Sequence, residues 1–210
     1  IPVGDTAKVR SIVEAKLLQS HFEAVGKVIG LHVKVILTDG SQPVGKGIGP
    51  SLEAMDVLSV LRNQIDAPQD LKKRSIVLSG MLLELSGKYA SGTGNQAAKD
   101  ILENGKAWLK FQAICEKQGG FKEPRYATHK QDVFAEKEGV VKAIDNRRLA
   151  RVAKLAGAPK SPSAGILFLS PIGKKVTKGE VLYTIYAEAK GELEYAIDYM
   201  NSNNHIIRIE

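Results

Sequence analysis

The chain has 210 residues, 43% of them hydrophobic and 25% charged, with a formal net charge of +7. That content suits one large domain or two small ones with a buried core, and no run approaches the ~20 apolar residues that a membrane helix needs. Its single cysteine, Cys115, excludes an internal disulfide and a cysteine-rich metal cluster, in keeping with a reducing cytoplasm.

Ile1 is no initiator, and residues 1–4 read as the end of a buried strand entering a loop, so the chain is expected to have lost something upstream. From 11 to 29 the apolar positions Ile12, Ala15, Leu18, Phe22, Val25 and Ile29 recur at three and four, which predicts an amphipathic helix ended by Gly30. Residues 31–37 are nearly continuous in branched side chains and predict a parallel strand buried on both faces. A loop with four glycines and two prolines, counted to Pro50, leads into a helix reaching Arg62, with Leu52, Met55, Val57, Leu58 and Leu61 inward. Helices follow at 71–87 (Ile76, Met81, Leu82 and Leu85 inward), 95–102 and 106–118, the last stopping at Gly119-Gly120.

Around 120–124 the texture changes to a linker. Strands are then predicted at 126–134, 138–144, 164–169, 181–187 and 205–209, with helices at 147–156 and about 191–199. The chain therefore divides into residues 1–120, a strand-and-helix region, and residues 124–210, a separate α+β domain.

The basic residues fall in three short groups: Lys72-Lys73-Arg74; Arg147-Arg148 with Arg151 and Lys154; and Lys174-Lys175 with Lys178. No aromatic-studded basic strand or zinc finger accompanies them, so solvated faces and attraction for small phosphorylated molecules are expected rather than nucleic-acid binding. His21, His32, His129 and His205 show no metal-ligand spacing. Cys115 shares an apolar helical stripe with Trp108, Phe111 and Ile114, which predicts a buried core thiol. No GxSxG elbow is present.

Two stretches could carry chemistry. Lys8 follows Gly4-Asp5-Thr6 at the end of the presumed first strand, where a compact cation could reach over a cleft toward a phosphate or a base carbonyl; a solvated lysine explains the same residue. The glycines at 45, 47 and 49 could present amides to an anion, or could simply allow tight turns and close helix packing. The loop is neither a GxGxxG fingerprint nor a P-loop.

The loop Thr38–Ala54, TDGSQPVGKGIGPSLEA, resembles the TDxxQPLGxxxGxALE signature of the nucleoside phosphorylase family that contains thymidine and pyrimidine-nucleoside phosphorylases. Its form is closest to the archaeal branch, the AMP phosphorylases. PVGDTAKV at 2–9 resembles that branch's PxGxxAKV segment, FQAICEKQGG at 111–120 its FxxMxxxQGG helix end, and KEGVVKAID with GKKVTKGEVLYTIYAE its C-terminal domain. The implied fold is α/β: the C-terminal part of a mixed strand-and-helix phosphorylase domain, then a smaller α+β domain with a barrel-like sandwich.

The implied activity is conversion of AMP and inorganic phosphate to adenine and ribose 1,5-bisphosphate, with CMP and UMP as further nucleoside monophosphates. Phosphorolysis of a pyrimidine nucleoside such as thymidine is the alternative. Phosphate would attack the anomeric carbon without a cofactor or a covalent enzyme intermediate. Lys8 matches the family lysine that contacts the nucleotide. The family's phosphate loop and Asp proton donor lie upstream, so no catalytic residue is assigned and the chain alone is expected to be inactive. In some bacterial relatives a monovalent cation is held at positions matching Val44, Gly47 and Asp56, where Asp56 stands in place of Glu. Members are commonly homodimers or larger, so a cytoplasmic homo-oligomer is expected, with no membrane or nucleic-acid partner.

The stretch from Gly173 to Lys190 also resembles biotinyl and lipoyl carrier domains, which supplies a non-enzymatic alternative with Lys190 as the modified residue. Lys190 lies between Ala189 and Gly191 without the methionine or acid neighbours of a carrier lysine, which favours a shared sandwich without modification.

Overall fold

The computed structural model describes residues 1–203 and 206–210. A short strand β1 (Pro2–Val3) pairs in parallel with β2 (Thr38–Asp39), and helix α1 (Ile12–Ile29) connects them. The ends of α1 follow from its sequence. Ser11 Oγ accepts from the Glu14 amide at 3.1 Å, an N-cap bond. Gly30 then takes the left-handed conformation (φ 73°) that stops the helix, and the Leu31 amide donates to Gly26 O.

The strand expected at 31–37 does not form. The backbone there pairs only at its end, where the Ile1 amine donates to Ile36 O and the Thr38 amide to Ile1 O. A strand is defined by its neighbours, and among the described residues none lies along 31–35. Leu31 and Val33 are accordingly exposed rather than buried on both faces. The stripe on α1 is likewise mostly open: Ala15 is fully buried, but Ile12, Phe22, Val25 and Ile29 are exposed.

Strand β3 (Gly47–Ile48) and helices α2 (Pro50–Leu61), α3 (Gln69–Leu85), α4 (Gly94–Glu103) and α5 (Lys106–Lys117) follow. Pro50 at the start of α2 fits a position whose amide has no helical partner. Leu52, Leu58 and Val60 are buried, whereas Val57, expected inward, is exposed, as are Leu82 and Leu85 of α3. The helices cover less of each apolar face than the pattern implies. The same holds for Cys115. It is half-buried on α5, a helix with no fully buried residue, and so is not a core thiol.

The connection after α5 is clamped. Arg62 donates to both carboxylate oxygens of Glu123 (2.7 and 2.9 Å) while its guanidinium lies 4.7 Å from the Trp108 ring centroid and 5.6 Å from that of Phe121. Beyond it come β4 (His129–Phe134), β5 (Gly139–Ile144), α6 (Asn146–Leu155), β6 (Gly165–Phe168), β7 (Lys175–Val176), β8 (Val181–Ala187), α7 (Lys190–Ser202) and β9 (Ile207–Ile209). The expected start of the last strand, His205, lies outside the described residues.

These strands form an antiparallel sheet ordered β3-β6-β8-β4 and a second ordered β7-β5-β9. One core joins both sheets to α6 and α7. Val141 from β5, Leu149 and Val152 from α6, and Ile166 and Ile185 from β6 and β8 are all inaccessible to solvent. The mixed α/β architecture with a barrel-like sandwich matches the expectation. Strand β3 was not foreseen. It takes the glycine loop into the sheet of the second half, pairing Gly47 with Leu167 and Ile48 with Ile166.

Candidate functional site

A cleft of about 870 Å³ opens where β1 and the loop after it, the glycine loop, α2, α3 and the start of α6 meet. Lys8 lines it, together with Arg74 of α3, Asp39, Asp56 and Asn146. Lys8 is exposed, and among the described residues no carboxylate forms an ion pair with it. The loop that carries it is ordered by its own backbone, Ala7 N donating to Gly4 O (2.9 Å) and Gly4 N to Val9 O (3.2 Å).

The second half of the chain also holds this loop. Thr6 Oγ1 donates to Ile144 O (3.3 Å) and accepts from the Asn146 amide (3.1 Å), and Arg147 Nη2 donates to Ala7 O (3.2 Å). Asn146 Nδ2 donates to Gly40 O (2.9 Å), so one residue touches both loops of the cleft. On the opposite wall Arg74 Nη2 donates to Asp39 O (2.8 Å). The Ser41 amide and hydroxyl, and then the Arg74 charge, hold the Asp39 carboxyl below its usual range.

The glycine loop is an internally satisfied turn rather than an anion cradle. Its amides at 45, 46 and 47 donate to carboxylates of the protein: Gly45 N to Asp70 Oδ2 (3.0 Å), and Lys46 N and Gly47 N to Asp56 Oδ2 (2.6 and 2.7 Å). A side chain at Gly47 would run into the backbone of Leu52 and Glu53, so glycine is required for the loop to lie on α2. Burial pushes the Asp56 carboxyl above its usual range despite the two amides that favour its charge.

Val44, Gly47 and Asp56, the positions matching the cation site, all line the cleft, with Asp56 already engaged by the loop amides. Among the described residues no group of three or more His, Cys, Asp or Glu could hold a metal ion. His21, His32 and His129 are exposed; His205 lies outside the described residues. Lys190 is the first residue of α7, not a hairpin tip, and lies 3.8 Å from Glu194.

Sequence reasoning found Lys8 but not Thr6, Arg74 or Asn146. Asp145 before an apolar-periodic run is a visible N-cap signal, and its side chain does accept from the Arg148 amide. Nothing in that signal says that the helix start touches residue 6.

Residues 140–207, from β5 into β9, match the family described as pyrimidine nucleoside phosphorylase C-terminal domain. The whole chain is similar to proteins named "Putative thymidine phosphorylase". It is 56% identical to one from Legionella pneumophila (strain Corby) over 207 residues, 99% of this chain and 40% of that protein. It is 51% identical over 210 residues to one from Hahella chejuensis, covering 42% of it, and 50% identical to one from Maricaulis maris, covering 40%. The chain thus spans about two fifths of the length of the curated relatives it matches. These relatives are bacterial, which removes the support for an archaeal assignment. No helix among the described residues is long and apolar enough to cross a membrane.

Proposed function

We propose that this chain, whose residues 140–207 form a pyrimidine nucleoside phosphorylase C-terminal domain, is part of an enzyme that cleaves N-glycosidic bonds with inorganic phosphate. A pyrimidine nucleoside is the substrate that the names of the relatives favour. The observation that carries the reading is the cleft itself. Lys8, on the loop that resembles the family's nucleotide-contacting segment, faces a space of about 870 Å³ bounded by the family's signature loop.

In this reading residues 1–120 belong to the phosphorylase α/β domain and 124–210 to the C-terminal domain. Lys8 holds the nucleoside while phosphate attacks the anomeric carbon, and the glycosidic electron pair leaves with the base. Catalysis of this kind needs preorganised charge around a ribosyl-cation-like transition state rather than a covalent intermediate. The complete polypeptide acts as a cytoplasmic homo-oligomer without a cofactor.

Two observations favour a second substrate, AMP. Two cations, Lys8 and Arg74, line the same cleft, a fitting arrangement for a 5′-phosphate, and the glycine loop has the form seen in AMP phosphorylases.

The test is base release by the complete polypeptide from thymidine and from AMP, each with and without phosphate. Phosphate-dependent release, faster from thymidine, is the expected result. Faster release from AMP would move the assignment to the nucleotide. Release that ignores phosphate, or none from either substrate, would overturn phosphorolysis.

A further inference from the structure

The Lys8 loop is held across the fold by α6, and that attachment has the form of a latch. Thr6 Oγ1 sits between Ile144 O and the Asn146 amide, donating to one and accepting from the other. Asn146 Nδ2 reaches Gly40 O on the neighbouring loop. The partners are separated by 138, 140 and 106 residues in the chain, so these bonds tie together segments that nothing local would bring together.

Asn146 is a costly choice for a purely structural tie. Its Oδ1 is buried and has no hydrogen-bond partner among the described residues. A buried acceptor left without a donor is destabilising. A residue that breaks a local rule in the wall of a cleft is where functional constraint is expected.

We propose that Asn146 and Thr6 are positioning residues: Asn146, from the C-terminal domain, and Thr6, within the loop itself, fix the loop 4–8 and thereby the place of Lys8 in the cleft. Neither residue performs a chemical step. Asn146 sets the distance between the Lys8 loop and the Gly40 loop, and Thr6 sets the loop's height above the start of α6. The part of the inference that concerns substrate rests on the phosphorylase reading; the latch itself rests on the geometry alone.

Two measurements on the complete polypeptide separate these parts. Hydrogen exchange reports the latch without any activity: the protected amides of Gly4 and Ala7 in Thr6→Val, and that of Gly40 in Asn146→Ala, which loses the bond to Gly40 O but keeps the backbone amide that donates to Thr6, should exchange about tenfold faster, the loss of roughly one net hydrogen bond. Thr6→Ser, which keeps the hydroxyl, should restore protection. Unchanged exchange in both variants, or failure of Thr6→Ser to restore it, would overturn the latch whatever the enzyme's activity.

Kinetics report its purpose. Asn146→Ala should raise KM for the nucleoside by about tenfold or more, since a small misplacement of a binding group is expensive, with kcat changed much less. In Lys8→Ala the same substitution should add little, because both changes remove one contact. A KM unaltered by Asn146→Ala, or an effect that adds fully to that of Lys8→Ala, would overturn the positioning role. Should the unmodified enzyme cleave no nucleoside with phosphate, the functional reading fails, and exchange alone decides the latch.

Discussion

Residues 129–209, with β3 lent by the first half, close two sheets and two helices around a single cluster whose central members, Val141, Leu149, Val152, Ile166 and Ile185, are inaccessible. In residues 1–120 the corresponding cluster contains only Val60, Ala67 and Leu102 as buried members, and Val13 and Val28 of α1 stay 80% and 85% exposed. The two regions have similar apolar patterning, yet one buries its faces and the other leaves them open. Pattern alone therefore does not make a core; a covering layer does. In the first region order comes from caps, from the Arg62 clamp and from bonds to the second region.

Substitutions can break this contrast. Leu149→Ala should cost about 2–5 kcal/mol, the range for emptying a packed site, measured by urea unfolding. A loss below 1 kcal/mol would mean the second-half core is not what stabilises the chain. Asp56→Ala should cost about 1–3 kcal/mol, because the amides of Lys46 and Gly47 lose their acceptor in a buried place. Ser11→Ala removes the α1 cap, a change of about 1 kcal/mol. Val28→Ala on the open face of α1 should stay within about 0.5 kcal/mol; a core-sized loss there would show that this face is packed in solution.

Asp56 also gives the contrast a pH signature. Burial, the largest influence on it, raises its folded-state pKa above the ordinary 3.8, so the folded chain binds this proton more tightly than the unfolded chain. The group's contribution is fully present below 3.8 and is lost as pH rises through the raised value. The stability of the unmodified chain minus that of Asp56→Asn should therefore fall as pH climbs above about 4. A difference that grows with pH would reverse the assignment.

Local signals were legible. Ser11 and Gly30 bound α1 where the pattern placed its ends, and β8 occupies the residues 181–187 that its branched run indicated. The Lys8 and glycine-loop segments stood out because several motifs occur in order. What depended on partners was not legible. Residues 31–37 have a strand's composition but no neighbour along most of their length, and Val57 has a core residue's chemistry but no layer above it. The site divides in the same way: Lys8 belongs to a motif, whereas Thr6 and Asn146 meet across 140 residues through single hydrogen bonds. No periodicity encodes such a contact.

The central claim is that the cleft beneath the Lys8 loop binds the nucleoside during phosphorolysis. It is tested most directly by the steady-state kinetics of Lys8→Ala in the complete polypeptide at saturating phosphate. The account predicts a KM for the nucleoside raised by about tenfold or more, as expected when a charged contact is lost. A KM and kcat equal to those of the unmodified enzyme would contradict it.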